Sequence, residues 1–264
     1  MSAGIFKKKA LGFAPPLTVL VFVFSLAGCT TAPTLYSPAQ MDKLGNQAYT
    51  KIKQQTPASH NAALKRYVQC VVSHLAAQTG RSNWQVTLFQ SKEANAFALP
   101  GGKIGVYIGI LKYADTQSEL AAVIGHEMGH VLAHHINERM SREAITQAGL
   151  EAVGGALGNG AGSQQIMGVL GVGAQYGILL PFSRSQESQA DLIGLNLAAR
   201  AGFNPKSAIQ LWHNMERAGS EPPQFLSDHP SSSNRIANLK AHMPQALAEY
   251  RHAHAAGESP HCGS

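Results

Sequence analysis

Several things are scarce in this chain of 264 residues, and each scarcity excludes something. Apart from Lys7, Lys8 and Lys9 there is no block of Lys or Arg, so the formal charge of +6 is no nucleic-acid footprint. No repeat of fixed period is apparent, which argues against a solenoid or propeller. The apolar stretch near the N-terminus, Leu17 to Leu26, holds only about ten residues, short of the ~20 that a spanning helix needs. Cysteine is rare as well, with Cys29, Cys70 and Cys262 the full set of 3. A hydrophobic content of 44% supplies one good core, so we expect one domain of roughly 200 residues or a little more.

The N-terminus reads as a targeting segment. A basic start (Lys7 to Lys9), an apolar core and small residues before Cys29 make residues 1–28 a secretory signal. Leu26-Ala27-Gly28-Cys29 resembles the lipobox of bacterial lipoproteins. That resemblance implies cleavage before Cys29 and acylation (palmitate-type) of it, and Thr30 in the next position favours sorting to the outer membrane. Export leaves Cys70 and Cys262 in an oxidising compartment, either joined as a disulfide or as two free thiols.

Residues 29–59 read as a polar tether with a short helix over Pro38 to Gln55, and residues 60–250 as the folded domain. Leu64, Tyr67, Val68, Val71, Val72 and Leu75 recur at helical spacing, and Gly80 ends that helix. Trp84, Val86 and Leu88 alternate as a strand does, and Ala94–Leu99 and Ile104–Ile110 flank Pro100-Gly101-Gly102 as a hairpin. We therefore expect an α+β fold, mostly helical, with a small antiparallel sheet before the central helix. Gln147 to Leu180 is rich in Gly and Ala and reads as two weakly helical arms around a Gly-Asn-Gly-Ala-Gly turn: a lid, a lipid-facing surface or closely packed helices. Pro181 breaks the chain, helices follow over Ser183–Ala201, after Asn204-Pro205 and from Ser233 to Leu247, and residues 251–264 read as a disordered tail.

The chemistry is concentrated in His126-Glu127-Met128-Gly129-His130. Thr116 and Glu119 form a capping box, Leu120, Val123, Ile124 and Val131 an apolar stripe, and nothing breaks the helical pattern before Ser141. On a helix, His126 and His130 point two imidazoles at one metal ion, and Glu127 lies at the edge of that face, able to take a proton from water. This is the arrangement of a zinc hydrolase. His134 fails as a third ligand, because eight residues at ~1.5 Å put it roughly 12 Å from His126. It and His135 read as solvated or outer-shell groups. Glu187 and Asp191, one turn apart, are the better candidates: Glu187 to bind zinc, Asp191 to accept the free ring N–H of a ligating histidine.

Together, His126-Glu127-x-x-His130, Glu187-Ser-Gln-Ala-Asp191, His229-Pro230, Arg235 and the hairpin Asn95-Ala-Phe-Ala-Leu-Pro-Gly-Gly102 resemble the metallopeptidase family of the CAAX prenyl protease and HtpX, in its periplasmic lipoprotein branch. The match runs from about Leu64 to Leu239. It implies a gluzincin-like domain with one Zn2+ held by His126, His130 and Glu187, Glu127 as general base, and Asp191 behind a ligand. His229 and Arg235 would stand at the cleft, to stabilise the oxyanion or hold substrate. For His229 a further role is to close the fourth zinc position in a latent form.

The edge strand containing Asn95, Phe97 and Ala98 is either a docking edge for an extended polypeptide or a packed hairpin. The expected function is a zinc endopeptidase of the cell envelope, facing the periplasm from a lipid anchor at Cys29 and acting on unfolded or misassembled proteins. The rival is a zinc-stabilised chaperone or outer-membrane assembly factor.

Overall fold

The computed structural model describes Met1 and residues 34–156, 182–218, 222–230 and 234–263. The expected signal segment, Cys29 and the second glycine-rich arm (Gln164–Ile178) lie outside the described residues. The elements are α1 (Pro38–Gln55), α2 (Ala62–Ala77), β1 (Gln85–Phe89), β2 (Ala96–Leu99), β3 (Lys103–Tyr107), a 3-10 turn at Ile108–Lys112, α3 (Gln117–Leu132), α4 (His135–Ala156), α5 (Arg184–Arg200), α6 (Lys206–Glu216), α7 (Gln224–Asp228) and α8 (Arg235–Ala255). The α+β class is as expected.

Capping chemistry fixes where helices begin. Ser37 and Gln40 close a capping box on α1, Thr116 and Glu119 on α3, and Ser183 and Gln186 on α5, while the Asn61 side chain caps α2. Helix α3 is the axis of the fold. From Glu119 to Val131 all but Ala122 are buried, and the helix packs against α5, α6, α2 and β2. Its closest neighbour is α5, because glycine removes the side chains at the crossing. A Cβ added at Gly194 would fall 2.6 Å from the His126 backbone nitrogen, and one at Gly129 would fall 2.9 Å from the Ala190 carbonyl oxygen.

The sheet is mixed, which corrects the expectation of an antiparallel one. Its order is β1-β3-β2, with β3 antiparallel to β2 across the hairpin but parallel to β1. The hairpin turn needs glycine, since φ is +79° at Gly101 and +73° at Gly102. Helix α1 covers it, with Gly45 against the Pro100 carbonyl, and Tyr49 joins Phe89, Phe97 and Leu99 in a second small core. The expected short helix is therefore part of the domain and not of a tether leading to it.

Two further expectations are corrected. The helix of the histidines stops at Leu132, and His134 takes φ +58° before α4 starts at His135, although no residue there is a helix breaker by composition. The tail is ordered as far as Gly263. Helix α8 continues through Pro244 to Ala255, the Gln117 side chain donates to the Pro260 carbonyl (2.9 Å) and accepts from Cys262 N–H (2.9 Å), and Cys262 is joined to Cys70. These links over-ride the polar composition that suggested disorder. No helix among the described residues is long and apolar enough to cross a membrane.

Candidate metal centre

Four buried donor groups converge where α3, α5 and the loop after α7 meet: His126, His130, Glu187 and His229. His126 Nε2 lies 3.0 Å from His130 Nε2, 3.4 Å from Glu187 Oε2 and 3.1 Å from His229 Nδ1. His130 Nε2 to Glu187 Oε1 is 3.5 Å, and His229 Nδ1 to Glu187 Oε1 is 3.1 Å. A zinc tetrahedron with bonds of ~2.0–2.1 Å has edges of about 3.3 Å, so the donor set fits that ion.

The outer contacts fix which ring nitrogen faces inward. His126 Nδ1 donates to Asp191 Oδ1 (2.9 Å), leaving the Nε2 lone pair for a metal. His130 Nδ1 donates to His135 Nδ1 (2.9 Å), and His135 Nε2 donates to Gln189 Oε1 (3.1 Å), which again frees an inward lone pair. These three donor directions follow from the partners each ring nitrogen meets. Without a cation, several inward lone pairs and a carboxylate would share one dry site, which is electrostatically costly.

The titration directions show the same demand for positive charge at this site, which a proton on His126 or a metal ion can meet. Burial disfavours charge on His126, but the Asp191 and Glu187 carboxylates outweigh it and push its pKa up to about 10. Burial pushes Glu187 up, yet hydrogen bonds from His126 and His229 hold it well below the usual carboxylate range. Burial drives His130 well down, helped by charge on His126 and His229, and also lowers His135.

Glu127 sits against this group. Burial raises its pKa, partly offset by His229 and His126. Its Oε2 accepts from Ala98 N–H (3.2 Å), and Oε1 has no hydrogen bond among the described residues, although His229 Nε2 stands 3.2 Å away. One carboxylate oxygen is thus anchored by the Ala98 backbone, and the other, facing His229, carries no hydrogen bond among the described residues and can take a proton.

Arg235 departs from the expected place at the cleft. It is 3% exposed, stacks over Trp212 (3.9 Å) and has its guanidinium occupied: Nε donates to Asp191 (2.7 Å), Nη2 to Glu187 (2.6 Å) and Nη1 to the His229 carbonyl (3.2 Å). A group so committed holds other site residues in place. Asn95 and Phe97 are likewise internal. Asn95 Nδ2 donates to Asp228 Oδ2 (2.7 Å), tying the start of β2 to the residue before His229, and the Phe97 ring lies over Gly105 in the small core. Ala98 alone of the three offers a backbone group at the site.

His135 takes the outer-shell place behind His130 that was one of its two readings, whereas Gln189 and Phe182 were not singled out from the sequence. Phe182 stacks on His130 with ring centroids 3.9 Å apart and on His229 at 5.8 Å. Gln189 falls inside the Glu187–Asp191 turn, but nothing local shows that it faces His135. A cleft of about 370 Å³ opens beside His130, between Tyr36, Met41, Arg81, Pro100 and His134.

Comparison with known proteins agrees with this geometry. The chain is 37% identical over 196 residues to the mitochondrial metalloendopeptidase OMA1 of Schizosaccharomyces pombe, covering 72% of this chain and 56% of that protein. It is 30% identical over 230 residues to the Saccharomyces cerevisiae protein of the same name, covering 78% and 65%. It is 28% identical over 226 residues to the beta-barrel assembly-enhancing protease of Escherichia coli K12, covering 80% and 45%. The chain thus spans 45% to 65% of the length of these relatives. The model of peptidase family M48, a family of zinc metallopeptidases, matches residues 61–243, and this chain belongs to that family.

Proposed function

We propose that this protein is a zinc endopeptidase of the bacterial cell envelope, held by a lipid at Cys29 on the periplasmic face of the outer membrane, that cleaves unfolded or misassembled proteins. The observation that carries the reading is Glu127, buried against the converging donors with one oxygen not hydrogen-bonded among the described residues, because a structural zinc site needs no base there. His126, His130 and Glu187 would hold the zinc, which supplies Lewis acidity to the scissile carbonyl and to water. Glu127 takes a proton from water and returns it to the leaving amine. Asp191, His135 and Arg235 keep the ligands in register. An extended substrate would pair beside β2, where it competes with Glu127 for Ala98 N–H. The lipobox resemblance and the similarity to an assembly-enhancing protease support the envelope role.

One observation favours a second reading. His229 Nδ1 occupies the fourth corner of the donor set, the corner that a catalytic site leaves to water. In this arrangement the site is latent, and a zinc-stabilised chaperone or assembly factor would need nothing more. Casein cleavage by the full chain, Glu127→Gln and His229→Ala at matched zinc content separates the two. The endopeptidase reading expects cleavage from the wild type or from His229→Ala, and none from Glu127→Gln. Suppression of aggregation by all three without any cleavage would establish the chaperone instead.

A further inference from the structure

A second cluster of metal-ligating groups lies outside the site already described, around the Cys70–Cys262 disulfide. Cys70 and His74 stand one turn apart on α2, the same i, i+4 spacing by which α3 presents His126 and His130. Cys262 comes from the C-terminal segment, and one ligand atom each of Cys70, His74 and Cys262 lies within 4.8 Å of the others. From the same segment, Glu258 brings Oε2 to 3.9 Å from His74 Nδ1. Packing holds these groups together without relying on the S–S bond alone. The His74 ring meets Phe203 edge to face (6.0 Å), Gln117 clasps Pro260 and Cys262, and Glu258 N–H donates to the Ala253 carbonyl.

The geometry points to a redox-gated soft-metal site: when the disulfide is reduced, Cys70, His74, Cys262 and Glu258 bind a second zinc ion. Two thiolates, one imidazole and one carboxylate on a shared edge are a zinc donor set. The sulfurs need only part to about 3.8 Å, the edge of a tetrahedron built on zinc–sulfur bonds of ~2.3 Å. Access is from the rim, where the His74 and Glu258 side chains are 36% and 45% exposed.

A dithiol can supply the reduction. Its thiolate attacks Sγ of Cys70, the less buried of the two residues, and Cys262 leaves as thiolate; the second thiol of the reductant then displaces Cys70 and departs as a disulfide. Two electrons pass to the cystine, and the two thiol protons are released when zinc binds. The metal would take over the cross-link between α2 and the C-terminus that the disulfide provides in the oxidised chain.

Cobalt(II) titration of the full chain, reduced with a phosphine and desalted anaerobically, tests this in a Cys29→Ser background. His126, His130, Glu187 and His229 carry no sulfur, so a sulfur-to-cobalt charge-transfer band in the near ultraviolet reports the second site alone. The expected result is a band that saturates at about one equivalent, is absent from oxidised protein, and is weakened tenfold or more in affinity by His74→Ala. Absence of the band in reduced protein, or a band of equal affinity in His74→Ala, overturns the inference. If reduction unfolds the chain, metal should restore its helical circular dichroism, and failure to do so overturns the inference equally.

Discussion

The closeness of α3 and α5 makes a sharp prediction, because the metal donors are divided between those two helices. Replacing Gly194 by Ala puts a Cβ 2.6 Å from His126 N and 2.8 Å from the Gly125 carbonyl carbon, both backbone atoms that cannot rotate away. Ordinary contact begins near 3.5 Å, so the helices must separate by about 0.9 Å. Metal–ligand distances tolerate only ~0.2 Å, and the shift acts on His126 and His130 on one side against Glu187 and Asp191 on the other. Overpacking of this kind costs about 1–3 kcal/mol, a fall of roughly 2–12 °C in Tm for a domain of this size. Zinc affinity should weaken at least tenfold, comparable to loss of an outer-shell partner. Melting with chelator present isolates the packing cost; the further stabilisation on adding zinc measures binding. Gly149→Ala is the control of opposite sign. That residue is an exposed position of α4 with nothing within 4 Å of an added Cβ, and Ala should stabilise it by up to ~1 kcal/mol. Wild-type melting and unchanged zinc affinity for Gly194→Ala would refute the view that this crossing positions the site.

Other expectations follow from single residues. Arg235→Lys loses the fork that joins Asp191 to Glu187, so equilibrium dialysis should show zinc binding weakened about 10–100-fold; wild-type affinity would make the guanidinium dispensable. The Tyr67 hydroxyl is buried with no hydrogen-bond partner among the described residues, so Tyr67→Phe should leave stability at pH 7 unchanged or higher by up to about 1 kcal/mol, and a clear loss in denaturant melts would show a hidden partner. Burial, with Asp115 and Glu119 adding to it, pushes the Tyr67 pKa up from 10.0 to about 12. The folded value lies above the unfolded one, so this contribution to stability is intact below pH 10 and lost between pH 10 and about 12. Alkaline melts of Tyr67→Phe should show a shallower loss than wild type. The Cys70–Cys262 bond closes a loop of 192 residues, and in metal-free buffer its reduction should cost about 2–5 kcal/mol in urea unfolding, with an unchanged midpoint counting against the cross-link as a stabiliser.

Local rules wrote most of the helices and part of the metal site into the sequence. The capping residues Ser37, Asn61, Thr116 and Ser183 mark starts that short-range hydrogen bonds fix, and the spacing of His126, Glu127 and His130 needs only a helix to become two ligands and a base. Glu187 and Asp191 were legible because two carboxylates on one helical face, in the presence of the histidine pair, call for a compensating charge. What the chain does after a helix ends was not legible. The turn at His134 brings His135 behind His130, and long-range contacts seat Arg235 between Asp191 and Glu187, bind Asn95 to Asp228 and fold the C-terminal segment back to Cys70. Likewise, whether β1 pairs parallel or antiparallel depends on which strand lies beside it, and strand spacing in sequence carries no record of that. The sequence by itself determined the ligand types and the helices that carry them. Tertiary structure decided which atoms meet, because those contacts join residues up to 192 positions apart, where no local periodicity reaches.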